Sequence, residues 1–438
     1  MRLAVALLAA SVAARADDLT LVTLDPAHSH AAQLYAAPLK GFAPDTWIYA
    51  PVGRDLANFW IFVSSFIQRS PAPAHWRFTG YTGADFLERL LADKRGNVLS
   101  ISGRNARKLE YLEAGIRAGM HVLADKPWII EAEQLPRLIA ALDEAERRRV
   151  VVYDCMTQRF DLAYQLQREL VNDRDLFGVP QQGSASKPAV RMVSSHFLLK
   201  SGFRPAWYFD IKQQGEALAD VGTHVVDLAH WTLFPDQALD YRKDIQLLKA
   251  RRWPTILTEE QYRKVTDEPR FPAYLKDKVI GGKLHYYTNN SLLYTARGIH
   301  IALDVMWEYQ SPIGDRDSML AVYTGTKSEI AVRAGKEQSY IPEVDVTPVS
   351  ARPALERRLK ALAARWPGLT VREADNRLHI VIPETLRVTT DHFLLLAERF
   401  AGFIRKTEPL PAWEKPAMAA KYYVTTHGVK LAREQDKP

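Results

Sequence analysis

Residues 97–127, NVLSISGRNARKLEYLEAGIRAGMHVLADKP, decide the fold. Asn97–Ser102 reads as a buried strand, Ala106–Gly119 as a helix closed by Gly119, and His121–Asp125 as a second buried strand. Two apolar strands joined through a helix form a parallel pair with a crossover, because a hairpin connection would leave no room for the helix. The same alternation extends outward in both directions. Upstream, Leu19–Leu24 leads into a helix near Ser29–Leu39, Thr46–Val52 is a strand, and Gly83–Gly96 is a helix. Downstream, Glu133–Arg149 is a helix and Val150–Asp154 a strand. The expectation is an α/β chain whose residues 17–155 form a Rossmann-like, doubly wound parallel sheet covered on both faces.

Past residue 155 the pattern changes. A helix near Asp161–Asn172, a strand at Val190–Leu199 and a helix after Gly215 precede long stretches of period two, Ser291–Gln310 and Ser318–Gly335. That patterning fits a large, mostly antiparallel sheet with one covered face, so residues 156–438 are expected to form a C-terminal α+β domain for substrate and oligomerisation. Helices return around His392–Arg405 and Lys415–Glu434, while Asp240–Gly282 reads as an insertion without an assigned place.

The chain has 438 residues, 47% of them hydrophobic and 25% charged, which suits two globular domains and excludes disorder. Its formal net charge of +7 comes from scattered Lys and Arg, with no basic run interleaved with aromatics, so no nucleic-acid partner is expected. Residues 1–16, MRLAVALLAASVAARA, read as a cleavable signal peptide with an A-x-A ending, cut after Ala16. The lone Cys155 permits no intramolecular disulfide and no later apolar run has membrane length. The expectation is a periplasmic or secreted protein without membrane insertion, and a homo-oligomer.

Two stretches carry the chemistry. Asp125-Lys126-Pro127 ends a strand, and GEALADVGTHVVDLAHW, residues 215–231, sets Asp220, His224 and Asp227 at i, i+4 and i+7. On a helix those three share one face, opposite Leu218, Val221, Val225 and Leu228. Together they resemble the glucose-fructose oxidoreductase, inositol dehydrogenase and MocA superfamily, in which a Glu-Lys-Pro after a Rossmann strand precedes a D-x-x-x-H helix. Further matches are Gln158-Arg159-Phe160, Leu176-Phe177-Gly178 and Tyr323–Val332.

The resemblance implies NAD or NADP as cofactor, with Lys126, Asp220 and His224 catalytic, and the expected location outside the cytoplasm implies that the cofactor is tightly bound. Lys126 is suited to hold the reacting hydroxyl, and His224, with an ordinary pKa near 6.5, to take its proton. Asp220 orients the imidazole or binds a sugar hydroxyl, whereas a cap or salt bridge is as good a role for Asp227. The cofactor side is expected from Asp25, Pro26, His28, Ser29, His30, Ser102, Gly103, Asn105 and Asp125.

Here the sequence departs from the family. The glycine-rich turn that lets amides approach a pyrophosphate is replaced by DPAHSHAAQ, residues 25–33, and the second strand ends in Ala50-Pro51 with Asp55 further on. Ser29 is the expected N-cap, and His28 or His30 the replacement for a missing amide. A metal hydrolase, suggested by His-x-His, would need eight βα units, so no metal is expected. Arg159, His196, Arg204, Trp207 and Tyr208 are the candidate substrate contacts, since aromatic faces with polar neighbours suit carbohydrate.

The reading is a secreted nicotinamide-dependent enzyme acting on a sugar or glycoside. It either feeds a separate acceptor or runs redox-neutrally, as an NAD-dependent glycosidase would, by oxidation, elimination, hydration and reduction on a retained cofactor. The alternative is a carbohydrate-binding or scaffold protein with a degenerate cofactor site.

Overall fold

In the computed structural model, residues 19–70, 72, 75–200, 202–311, 316–387 and 392–436 are described; the expected signal peptide, residues 1–16, lies outside them. The first sheet contains β1 (Leu21–Leu24), β2 (Asp45–Ala50), β3 (Arg77–Thr82), β4 (Val98–Ile101), β5 (His121–Ala124) and β6 (Val152–Asp154). All pairings are parallel and the order is β3-β2-β1-β4-β5-β6. Every residue of β1 and β4 is buried, as expected of central parallel strands that have helices on both faces. The helix Lys108–Arg117 is followed by Gly119 at φ +77°, a conformation that suits glycine just past a helix end.

The second sheet has ten strands. They are β7 (Val190–Phe197), β8 (Ile245–Leu257), β9 (Val279–Ile280), β10 (Lys283–Ala296), β11 (Ile299–Glu308), β12 (Ser318–Thr324), β13 (Glu329–Ala334), β14 (Glu343–Thr347), β15 (Thr370–Ala374) and β16 (Arg377–Val381). Their order is β15-β16-β14-β13-β12-β7-β11-β10-β8, with β9 beside β10. Only the β7–β11 pairing is parallel. Along β11 buried and half-buried residues alternate, and the buried face packs beneath the helices Leu162–Val171, Gly222–Leu233 and Glu414–Gln435.

The structure differs from the sequence reading at several local points. The segment 240–282 is part of the sheet: Ile245–Leu257 is its edge strand, paired antiparallel along β10. The helix Arg54–Arg69 and β3, which the reading passed over, complete the first sheet. β3 is mostly exposed or half-buried, as an edge strand is, and so lacks an apolar signature. The helix expected over 29–39 stops after Gln33, and its N-cap is His28, whose Nδ1 accepts the main-chain N–H of His30, in place of Ser29.

The C-terminal helices tie the two sheets together. His392–Arg405 lies in the core beneath the first sheet, where Phe393, Leu396 and Phe400 meet Tyr35 and Tyr153. Glu414–Gln435 gives Met418 and Tyr422 to the first core and Val424 and Val429 to the second. Tyr422 accepts the Trp128 N–H and donates to Asp154. No helix among the described residues is long and apolar enough to cross a membrane.

Candidate active site

In a sheet of this order, ligands bind beyond the C-terminal ends of β1 and β4, where the strand order reverses. Three loops meet there. Asp25, at φ +45°, turns the chain out of β1, and its carboxyl group, pushed up by burial, accepts the Tyr111 hydroxyl at 2.7 Å. The next amides turn inward: Ala27 N–H and His28 N–H both donate to the Ser102 carbonyl, and Ala31 N–H to the His28 carbonyl. Gly103 permits this closure, because a Cβ there would lie 2.3 Å from the Asp25 carbonyl oxygen. The helix that follows is five residues long and offers no free N-terminal amide cluster. Asn105 is also committed, donating to the Gln214 carbonyl at 2.7 Å and linking the two halves of the chain.

Beside this closed turn is a cleft of about 370 Å³, bounded by Pro26, Pro51, Arg54, Arg104, Arg107 and Trp207. The three arginines were not among the expected site residues; Arg104 and Arg107 stand in SGRNAR immediately after β4. Arg104 pairs with Asp55 at 2.9 Å, and Arg107 pairs with Glu110 while lying over the Tyr111 ring. Asp55 also accepts the Trp207 indole N–H.

The catalytic candidates do converge. Lys126 Nζ donates to Asp220 Oδ1 at 2.5 Å, both side chains being 9% exposed, and Asp220 Oδ2 accepts from Gln214 Nε2. Burial by itself would lower the Lys126 ammonium, but the charges of Asp220 and Asp125 hold it above the ordinary lysine range. Asp220 lies in the turn before the helix Gly222–Leu233, so the three-residue polar face begins one turn early. His224 departs from its expected titration: burial, then the charge of Lys126, push it to about 3, and its buried Nδ1 has no hydrogen-bond partner among the described residues. It is a neutral imidazole at physiological pH.

The remaining candidates separate. Asp125 faces His28 and His30 at 3.7 and 3.0 Å from their Nδ1 atoms. Arg204, Trp207 and Tyr208 line a second cavity of about 110 Å³ together with His28 and Ser29. His196 lies behind them, stacked on Trp307 and held between Ser194 Oγ at 2.7 Å and Asp317 at 3.1 Å. Arg159 stands apart from both cavities: it is buried in a bidentate pair with Asp227 and a third bond to Glu414, and so anchors the helix Gly222–Leu233. Asp227, held at about 2 by Arg159 and Lys421 against its own burial, takes the salt-bridge role.

Residues 166–433 match the family described as "Putative oxidoreductase C terminal domain". A solved oxidoreductase-type structure from Parabacteroides merdae ATCC 43184 superposes with a TM-score of 0.91 at 35% identity, covering 96% of this chain and 98% of that one. GenD2 from gentamicin A biosynthesis, solved with NAD, has a TM-score of 0.56 at 16% identity, with coverage of 96% and 95%. KijD10, a 3-ketoreductase from Actinomadura kijaniata solved with NADP and TDP-benzene, gives 0.55 at 15%, with coverage of 94% and 98%. These last two share the fold. An uncharacterized oxidoreductase of Synechocystis is 26% identical over 186 residues, 42% of this chain and a little under half (46%) of that relative.

Proposed function

The chain belongs to the oxidoreductase C-terminal domain family, of the glucose-fructose oxidoreductase, inositol dehydrogenase and MocA type, and from that premise we propose a nicotinamide-dependent oxidoreductase acting on a sugar or glycoside hydroxyl. The observation that carries this is the arginine-bounded cleft at the reversal of the 3-2-1-4-5-6 sheet, continuous through Asp55 and Trp207 with the cavity lined by Arg204 and Tyr208. The usual amide cradle does not fit a pyrophosphate, since its N–H groups are spent on Ser102. Side-chain guanidinium groups could take its place: Arg54, Arg104 and Arg107 would hold the diphosphate by sharing donors now paired with Glu268, Asp55 and Glu110.

A bound nicotinamide would supply a hydride acceptor for the carbinol carbon and a donor for the reverse step. The protein's part is proton handling and charge. Lys126, fixed by Asp220, donates to the substrate oxygen and stabilises its developing negative charge. His224, already neutral, receives the hydroxyl proton. Its affinity for that proton rises as the negative charge on the substrate oxygen offsets the ammonium that depresses it.

The leader at residues 1–16 supports action outside the cytoplasm, where a dissociable cofactor would be diluted away. That favours a tightly held dinucleotide and a redox-neutral cycle. Oxidation of a ring hydroxyl would acidify the neighbouring C–H, that proton would pass to solvent as the aglycone leaves and takes up a proton, water would add across the resulting double bond, and return of the hydride would restore the hydroxyl. The test is incubation with assorted glycosides in deuterated water without added cofactor. Cleaved sugar deuterated beside the oxidised carbon is expected, lost in Lys126→Ala and His224→Ala; a keto-sugar formed only with stoichiometric added NAD would contradict the cycle. The committed loop amides favour a second reading, a carbohydrate-binding scaffold, which predicts sugar binding without dinucleotide binding.

A further inference from the structure

We propose that His28, His30 and Asp125 form a binding site for one divalent transition-metal ion of the zinc class. The loop after β1 has its amides turned inward, so its two histidines are not needed as spacers around a phosphate. Their side chains meet instead at the carboxylate that ends β5. His30 Nδ1 is 3.0 Å from Asp125 Oδ2 and His28 Nδ1 is 3.7 Å from the same oxygen, and one ligand atom from each residue lies within 4.8 Å of the others. Donors bonded at about 2.0–2.2 Å around one tetrahedral ion are separated by roughly 3.4 Å, so the three atoms need only small adjustments to share it.

The hydrogen bonding of the trio points the same way. Asp125 Oδ1 is buried without a hydrogen-bond partner among the described residues, and buried His30 Nδ1 has no neighbour beyond its 3.0 Å ion-pair approach to Asp125 Oδ2. Buried polar atoms are rarely left unpaired, and Asp125 has a side chain only 4% exposed. His28 Nδ1 accepts the His30 main-chain N–H at 3.3 Å, so it carries no proton; its single lone pair would have to exchange this long hydrogen bond for the ion. The rings are positioned independently of any ion: His28 and His30 meet edge to face at 4.1 Å, and Phe393 packs on His30 at 4.4 Å.

The nearby cations are spoken for. Lys126 is paired with Asp220, and Lys108 donates to the carbonyls of Asp125 and Lys126 at 2.9 and 3.0 Å, standing 3.8 Å from Asp125 Oδ2. Ser102 Oγ, at 3.2 Å, is the donor to that same oxygen. Two imidazoles and one carboxylate suit zinc or a similar borderline ion better than magnesium or calcium, and leave a position for water or a substrate oxygen. With one carboxylate against a divalent ion, the site carries net positive charge and would favour an oxygen that ionises on binding.

This proposal does not depend on the nicotinamide reading, and the experiment separates them. Chelator-stripped full-length protein is titrated with zinc against a chromophoric competitor, and with cobalt as a visible reporter, while NADPH binding is followed on the same preparations by fluorescence. One ion per chain is expected, with affinity reduced at least tenfold in His30→Ala and in Asp125→Asn and unchanged in His379→Ala, which removes a distant His–Asp pair. His28→Gln, which retains a polar side chain, serves if either variant unfolds. Substoichiometric zinc in the wild type, or zinc retained equally by the His30 and Asp125 variants, overturns the metal site whatever the NADPH result. NADPH binding lost with zinc binding intact would strike the cofactor reading alone.

Discussion

Replacing Asp220 by Asn keeps the shape of the side chain and removes the charge that faces Lys126. The pair is 2.5 Å apart with both side chains 9% exposed, and the amide that replaces Oδ2 would meet the donating Gln214 Nε2. Charges 3–4 Å apart at an effective dielectric of about 20 interact by about 4–6 kcal/mol. Breaking a buried pair from one side costs about 3–5 kcal/mol. Lys126 can limit that cost by losing its proton, which from an ordinary pKa of about 10.4 to pH 7 takes about 4.6 kcal/mol. The variant is therefore expected to be about 3–5 kcal/mol less stable at pH 7 in urea unfolding. The loss should shrink as pH rises: with folded Lys126 depressed below its unfolded pKa, the unfolded chain binds the extra proton between the two values, so stability climbs with pH there. In the wild type Lys126 is raised, so its contribution is complete below about pH 10 and fades above. Removing both charges, Lys126→Met with Asp220→Leu, should recover most of the stability while abolishing turnover. A loss under about 1 kcal/mol, or one identical at pH 7 and pH 9.5, would refute the argument.

Arg159→Met leaves Asp227 and Glu414 buried without their guanidinium, so a destabilisation of about 3–5 kcal/mol by denaturant unfolding is expected, with dinucleotide affinity unchanged; selective loss of substrate affinity would return Arg159 to the substrate site. Acid should weaken the fold early. His224 at about 3 and His230 at about 4 stay neutral when folded but protonate below about pH 6.5 when unfolded, so each costs about 2 kcal/mol by pH 5 and the loss continues down to those values. The slope of melting temperature against pH between 6.5 and 5 checks this, and His230→Gln should reduce it by one histidine's share, since burial also lowers His28, His121 and His427.

Much of the architecture was legible because its causes are local. The parallel strands β1, β4 and β5 are short apolar runs separated by helical patterns, and Gly119 marks a helix end with a conformation few other residues adopt. Lys126, Asp220 and His224 were proposed from a motif, and the structure brings Lys126 and Asp220 into contact although Asp220 sits in a turn. What sequence could not supply was the partner of each charge. Arg159 resembles a substrate contact until Asp227 and Glu414, 68 and 255 residues away, are seen to claim it. The committed amides of Ala27 and His28 depend on Ser102, and the low proton affinity of His224 on burial by both halves of the chain. The edge strand at Ile245–Leu257 was hidden because only Ile245, Ala250 and Leu257 are buried and the rest are exposed or half-buried in no period-two order.

The central claim is that the cleft bounded by Arg54, Arg104 and Arg107 holds a nicotinamide dinucleotide in place of a glycine-rich amide cradle. The direct measurement is mass spectrometry of the supernatant of heat-denatured purified protein, paired with NADH and NADPH titration of wild type and Arg104→Ala. The account predicts about one dinucleotide per chain and an affinity reduced about 10- to 100-fold in the variant, the worth of one or two charge-assisted hydrogen bonds. No dinucleotide released and none bound, or binding that ignores Arg104, would contradict it.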